Sequence, residues 1–145
     1  MDISNVNDNS LVAGTPSDDY IENSGTNVTI NAYAGNDTVG NYITSSDDDG
    51  PSYSTIDGGD GDDSIDNHGH HTSVYGGTGN DTLYNYVGAG NGTNEANYST
   101  INGGDDNDFI DNHGNHALII GGDGDDTIWN PAGAFFAGAV SVLAG

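Results

Sequence analysis

The stretch VYGGTGNDTLYN (74–85) returns forty-five residues later as IIGGDGDDTIWN (119–130). Two glycines, a polar residue, an acidic cluster and a lone aliphatic recur in the same order. A catalytic loop is needed once. A chain that repeats one is building a stack.

The aliphatic residues around these stretches keep a nine-residue spacing. Ile3, Val12, Ile21, Ile30 and Val39 lie on it, it resumes at Ile56, Ile65, Val74 and Leu83, and again at Ile101, Ile110, Ile119 and Ile128. The two longer intervals, 39–56 and 83–101, each hold about one extra period. Nine fits neither a helix nor a heptad coil. It fits a strand of about three residues and a six-residue turn, half of one solenoid coil. Each strand then turns one aliphatic inward. The residues before them (Thr29, Thr38, Thr55, Ser64, Ser73, Thr82, Thr100, Thr127) suit the outer face of a sheet.

The turns alternate between two kinds. One is Gly/Asp-rich: AGTPSDD, NAYAGND, DGGDGDD, YGGTGND, NGGDDND and IGGDGDD. The other carries Asn two residues after the aliphatic and Gly two further on: ENSGTN, DNHGHH and DNHGNH. The long intervals fall only in the second kind, so one edge has uniform loops and the other alternates short and bulged ones. One coil is 18 residues, and 10–53, 54–98 and 99–143 align as three super-repeats of 44 or 45 residues. The expectation is an all-β, right-handed parallel β-roll of about six to seven coils. It forms one domain over 1–130, and 131–145 is a C-terminal cap or docking tail.

Composition narrows the partners. The chain has 145 residues, 23 acidic side chains, no Lys and no Arg, and a net charge of −23. All its acids except Glu22 and Glu95 are Asp, a turn residue and a short oxygen ligand. Such charge opposes compaction unless counter-ions bind at defined places. Nucleic acid and anionic lipid are poor partners for it; metal cations are good ones. There is no cysteine, which excludes disulfides and thiolate metal sites. No apolar run approaches membrane-spanning length, so no membrane insertion is expected, and no signal peptide is visible.

Within GGDGDDSI (58–65) each residue type has a reason. Paired glycines permit positive φ and let carbonyls turn toward a common point. The last Asp presents a carboxylate to the same point. Stacking sets equivalent carboxylates roughly 4.8 Å apart, where they cannot all stay ionised without a cation. Carbonyl and carboxylate oxygens select calcium.

These loops resemble the RTX (repeats-in-toxin, haemolysin-type) calcium-binding nonapeptide G-G-x-G-x-D-x-U-x, where U is aliphatic. GGDGDDSID (58–66), GGTGNDTLY (76–84) and GGDGDDTIW (121–129) match throughout, and GGDDNDFID (103–111) departs only at Asp106. The resemblance implies calcium held between successive loops on one edge. The implied site residues are Gly59, Gly61 and Asp63; Gly77, Gly79 and Asp81; Gly104 and Asp108; and Gly122, Gly124 and Asp126. Asp37 and Asp19 keep the aspartate position in loops without the double glycine. Six loops make up to about five inter-loop sites. In the family both edges usually bind calcium; here Asn23, Asn41, Asn67, Asn85, Asn112 and Asn130 recur instead on the second edge, suggesting a calcium-free Asn ladder.

Other features read more plainly. His68, His70, His71, His113 and His116 lie on the second edge. A zinc or nickel site is conceivable, but His71 and His116 take the slot of Asn27, and polar turn residues explain them. DDDG (47–50) reads as a solvated loop. The ice-binding reading of GGTGNDT fails on Asp60, Asp105 and Asp123, which replace Thr78 in the other loops. Exposed Tyr75, Tyr84, Phe109 and Trp129 either mark a contact surface or pack along the sheets. The sequons at Asn27, Asn36, Asn80, Asn91 and Asn97 carry little weight in so Asn- and Thr-rich a chain. No H-E-x-x-H, G-x-S-x-G or thiol appears, so no enzyme is expected.

The expected function is ion-dependent folding. Calcium favours only the folded state, and extracellular modules bind it at roughly 10⁻⁴–10⁻³ M. RTX-like proteins are typically exported unfolded, which implies a secreted or cell-surface location. Two roles follow: a structural surface or fibre component whose copies stack end to end, or an accessory module of a longer secreted enzyme, toxin or adhesin. Phe135, Phe136, Val140, Val142 and Leu143 of the tail would cap the roll or dock on the next copy.

Overall fold

A computed structural model describes residues 1–42, 53–86, 98–114, 116–131 and 141–143. Among these, every regular element is a strand, and the strands alternate between two parallel sheets. One sheet stacks β1 (Asp2–Asn5), β3 (Tyr20–Asn23), β5 (Thr38–Asn41), β7 (Ser64–Asn67), β9 (Thr82–Asn85), β11 (Phe109–Asn112) and β13 (Thr127–Trp129) in that order. The other stacks β2 (Leu11–Ala13), β4 (Thr29–Asn31), β6 (Thr55–Asp60), β8 (Ser73–Thr78), β10 (Thr100–Asp105), β12 (Leu118–Asp123) and β14 (Ser141–Leu143). Seven strands in each sheet make a parallel β-roll of seven coils.

The nine-residue spacing becomes the core. In the first sheet Ile3, Ile21, Val39, Ile65, Leu83, Ile110 and Ile128 are Cα partners from strand to strand. In the second, Val12, Ile30, Ile56, Val74, Ile101 and Ile119 do the same. All are buried except the outermost pair, Ile3 and Ile128, which are partly buried against the rest. A one-residue slip would turn every aliphatic outward, so the register is strongly specified.

The spacing does not reveal a second inward position, just before the even-numbered strands. Val28, Ser54, Thr72, Ser99 and Ala117 are buried there. The Ser54 hydroxyl accepts the Val28 N–H at 3.2 Å, and Ser99 does the same for Thr72 at 3.2 Å. Small polar residues suit a corner where a backbone donor would otherwise go unpaired.

The tail contributes β14, which pairs in parallel with β12 and so continues the second sheet. Phe135, Phe136 and Val140, the DDDG segment, and the sequons at Asn91 and Asn97 lie outside the described residues.

Candidate metal centre

Both kinds of turn form ladders along the roll. On the glycine-rich edge each motif aspartate sits just before an odd-numbered strand, and from Asp37 onward its Oδ1 accepts the backbone N–H of the equivalent aspartate one coil earlier. Asp37 accepts from Asp19 at 2.7 Å, Asp63 from Asp37 at 2.7 Å and Asp81 from Asp63 at 2.8 Å. Asp108 accepts from Asp81 at 2.9 Å and Asp126 from Asp108 at 3.1 Å. The second oxygen behaves differently. Oδ2 of Asp37, Asp63, Asp81, Asp108 and Asp126 is buried with no hydrogen-bond partner. A buried carboxylate oxygen without a donor is costly unless a cation faces it.

The glycines explain where those oxygens point. A Cβ added to Gly58 would strike the Asp63 Oδ2 and come within 2.5 Å of the Gly76 carbonyl oxygen in the next coil. Gly76 stands in the same relation to Asp81 and the Gly103 carbonyl, and Gly103 to Asp108 and the Gly121 carbonyl. A carboxylate oxygen from one loop and a carbonyl oxygen from the next therefore border one small space. The second and fourth loop positions carry the turn. Gly59, Gly61, Gly77, Gly79, Gly104, Gly122 and Gly124 have φ between 109° and 136°. At Gly77 a Cβ would also collide with the Gly59 carbonyl. Asp106, the one departure among the four close matches, adopts the same left-handed region at φ 78°.

The two early loops differ from each other. Tyr33 takes the second position of its loop at φ 80° and Gly35 the fourth at 111°, so the backbone around Asp37 follows the later loops. The loop at Asp19 does not. Its Oδ2 accepts the Thr15 N–H at 2.5 Å and the Thr15 hydroxyl at 3.0 Å, and its Oδ1 accepts from the N-terminal ammonium at 2.6 Å. Both oxygens of Asp19 are engaged within the protein.

The electrostatics follow burial. Desolvation, reinforced by neighbouring carboxylates and opposed by the N–H donors, pushes Asp63 up to about 6, Asp81 to about 7 and Asp108 to about 6. Burial raises Asp37 as well. Asp19 moves down, held first by its bond to the terminal ammonium. Among the described residues no three acidic or histidine side chains converge on one point. A cation on this edge would therefore draw mainly on loop carbonyls, with a carboxylate oxygen from each loop. Such hard oxygen donors fit calcium.

A further ladder lies one residue upstream. Oδ1 of Asp18, Asn36, Asp62, Asn80 and Asn107 accepts the N–H of Asn36, Asp62, Asn80, Asn107 and Asp125, at 2.7–3.3 Å. It runs in the opposite sense to the motif-aspartate ladder. The sequence shows its trace as the Asp or Asn preceding each motif aspartate.

On the other edge the asparagine ladder is present and one rung longer than the recurrence suggests. Each amide nitrogen donates to the next Oδ1 from Asn5 through Asn23, Asn41, Asn67, Asn85 and Asn112 to Asn130, at 2.6–3.1 Å. Asn23 also donates to the Gly25 carbonyl at 2.9 Å and accepts the Gly25 N–H at 3.1 Å, closing the turn. His71 and His116, at φ 55° and 57°, share the left-handed slot of Asn27 at 54°. On the outer sheets, Tyr75 and Trp129 are exposed, while Tyr84 and Phe109 are half-buried with ring centroids 6.2 Å apart.

No curated protein and no solved structure matches the chain. The profile of the family described as RTX calcium-binding nonapeptide repeat (4 copies) matches residues 13–40, 50–69, 73–93, 98–115 and 118–130, more than half of the sequence. With its repeated glycine–aspartate loops on a parallel β-roll, the chain belongs to the RTX calcium-binding nonapeptide repeat family, whose repeats bind calcium.

Proposed function

We propose that this calcium-binding β-roll folds on calcium outside the cell and serves as a structural surface or fibre component, its copies stacking end to end. The observation that carries the calcium part is the row of buried, donorless Oδ2 atoms, three of them bordering a carbonyl of the next coil. We assign four ions, between the loops of Asp37 and Asp63, Asp63 and Asp81, Asp81 and Asp108, and Asp108 and Asp126. The gap between Asp19 and Asp37 takes none, because the Asp19 carboxylate is already satisfied.

Stacking is supported by the two ends. Among the described residues β1 and β2 at one end, and β13 and β14 at the other, each pair with a strand on one side only. Open strand edges are templates for further pairing. The same edges suit the alternative role, an accessory module of a longer secreted enzyme, toxin or adhesin, with the adjoining segment covering them.

Equilibrium dialysis with calcium tests the ion count, and negative-stain microscopy with calcium and after EGTA tests assembly. Four bound ions and calcium-dependent filaments are expected. Five ions overturn the exclusion of Asp19. Folded single particles at high protein concentration overturn stacking in favour of the accessory module.

A further inference from the structure

The edge opposite the aspartate loops carries two columns of rings in contact, with successive planes 24–52° apart. In the first, Tyr42, His68, Tyr86 and His113 follow one another with centroids 5.4, 5.4 and 5.1 Å apart. In the second, Tyr53, His71, Tyr98 and His116 follow at 4.9, 5.4 and 5.0 Å. Tyrosine and histidine alternate strictly in both, coil by coil.

The second column occupies a position where side-chain identity is hard to explain by the backbone. Asn9 and Asn27 fill this left-handed slot at φ 53° and 54°, as asparagine often does. Tyr53 and Tyr98 take it at 59° and 47°. A bulky ring is disfavoured there, and contact with the neighbouring rings offsets that cost. In the first column His68 Nε2 lies 3.1 Å from Asp66 Oδ1, and His113 Nε2 lies 3.0 Å from Asp111 Oδ1.

The chain has no Lys and no Arg, so its five histidines are the only side chains that can become cationic. Four of them stand in these columns. Histidine is also the side chain suited to gain charge near neutral pH. We propose that this edge is a proton-operated seam: protons taken up by His68, His71, His113 and His116 tighten the coils against one another, independently of calcium on the far edge.

A proton on His68 or His71 would place an imidazolium between two tyrosine rings, and one on His113 or His116 would place it against one, in each case within cation–π reach. Among the described residues the charged groups that face the columns are acidic. Asp66 and Asp111 contact the imidazoles of His68 and His113. Glu22 and Asp66 act on Tyr42, and Asp111, Asp66 and Tyr84 on Tyr86. A further titratable neighbour is His70, in the same short loop as His68 and His71. With no Lys or Arg in the chain, only the other histidines oppose protonation along the seam, and each proton also relieves the net charge of −23.

The test compares wild type with a variant in which His68, His71, His113 and His116 are all changed to Tyr. Tyrosine already occupies both columns, so ring contacts are kept, while the protonatable imidazoles and their contacts with Asp66 and Asp111 are lost. Thermal midpoints are measured in saturating calcium from pH 8 to pH 5. The aspartate edge is common to both proteins and cancels in the difference. The wild type should gain several degrees over the variant as pH falls. Parallel midpoint curves, or a variant that gains on acidification, overturn the seam. If the fourfold variant does not fold, His71→Asn with His116→Asn restores the residue found at Asn27. That pair should lose about half of the acid gain, and retention of all of it overturns the proposal equally.

Discussion

Asp81 Oδ1 accepts the Asp63 N–H at 2.8 Å, while Asp81 Oδ2 is buried without a donor and borders the same small space as the Gly103 carbonyl. One oxygen ties two coils together, and the other is left for a cation. This division of labour recurs at Asp63 and Asp108, and it makes opposite demands on the protein with and without calcium.

Asp81→Asn separates those demands. The amide keeps an oxygen for the Asp63 N–H but removes the buried charge. In calcium the variant should bind fewer ions and melt lower than wild type. In EGTA, as pH rises from 4, the variant should keep its β-signal to as high a pH as wild type or higher, because no uncompensated carboxylate is buried at that position. Thermal midpoints in calcium and the metal-free β-signal between pH 4 and 8 check the crossing; loss of stability in both would show that the charge is not a ligand.

The acid response has a definite sign. The folded-state values near 6 for Asp63 and Asp108 and near 7 for Asp81 lie above the ordinary 3.8. For metal-free protein, stability is fully present below about 4 and lost as pH rises through 6 to 7. Metal-free chain unfolded at pH 8 should therefore regain β-signal near pH 4, measured by circular dichroism. Calcium affinity should weaken over the same window as protons compete.

Gly77→Ala and Asp106→Gly should move stability in opposite directions. Gly77 holds φ 122° with a neighbouring carbonyl in the way of any Cβ, so alanine should cost several-fold more than an ordinary surface change. Asp106 holds φ 78° with a side chain. Glycine there removes strain worth roughly 1 kcal/mol. Denaturant midpoints in calcium check both.

Asn23→Ala tests the calcium-free edge. It removes the acceptor of the Asn5 amide and of the Gly25 N–H, and the donor to Asn41 Oδ1. Leaving buried polar groups unpaired costs roughly 1–3 kcal/mol. The loss should be the same in low and high calcium, read from chemical denaturation. A loss that disappears at saturating calcium would place Asn23 on the ion-binding side.

Much of this structure was legible in the sequence because a solenoid repeats its physics. The inward aliphatics from Val12 to Ile119, the alternation of two turn types and the motif aspartates all follow from one period. The asparagine ladder was legible too, although Asn5 precedes the first clear repeat and escapes the count. The buried slot of Val28, Ser54 and Ala117 was not legible, since no single residue type marks it. The engaged carboxylate of Asp19 was hidden as well: it depends on how Thr15 folds in a loop lacking the double glycine. The ring columns needed the structure, because Tyr42 and His68 become neighbours only once an interval of 26 residues closes into a single coil.

The central claim is that calcium holds the aspartate edge together. Far-ultraviolet circular dichroism at pH 7.5 on dialysed, metal-free chain, before and after millimolar calcium, tests it most directly. The account predicts a disordered spectrum that converts to β-structure on calcium and reverts with EGTA. An identical β-spectrum in all three states would contradict it.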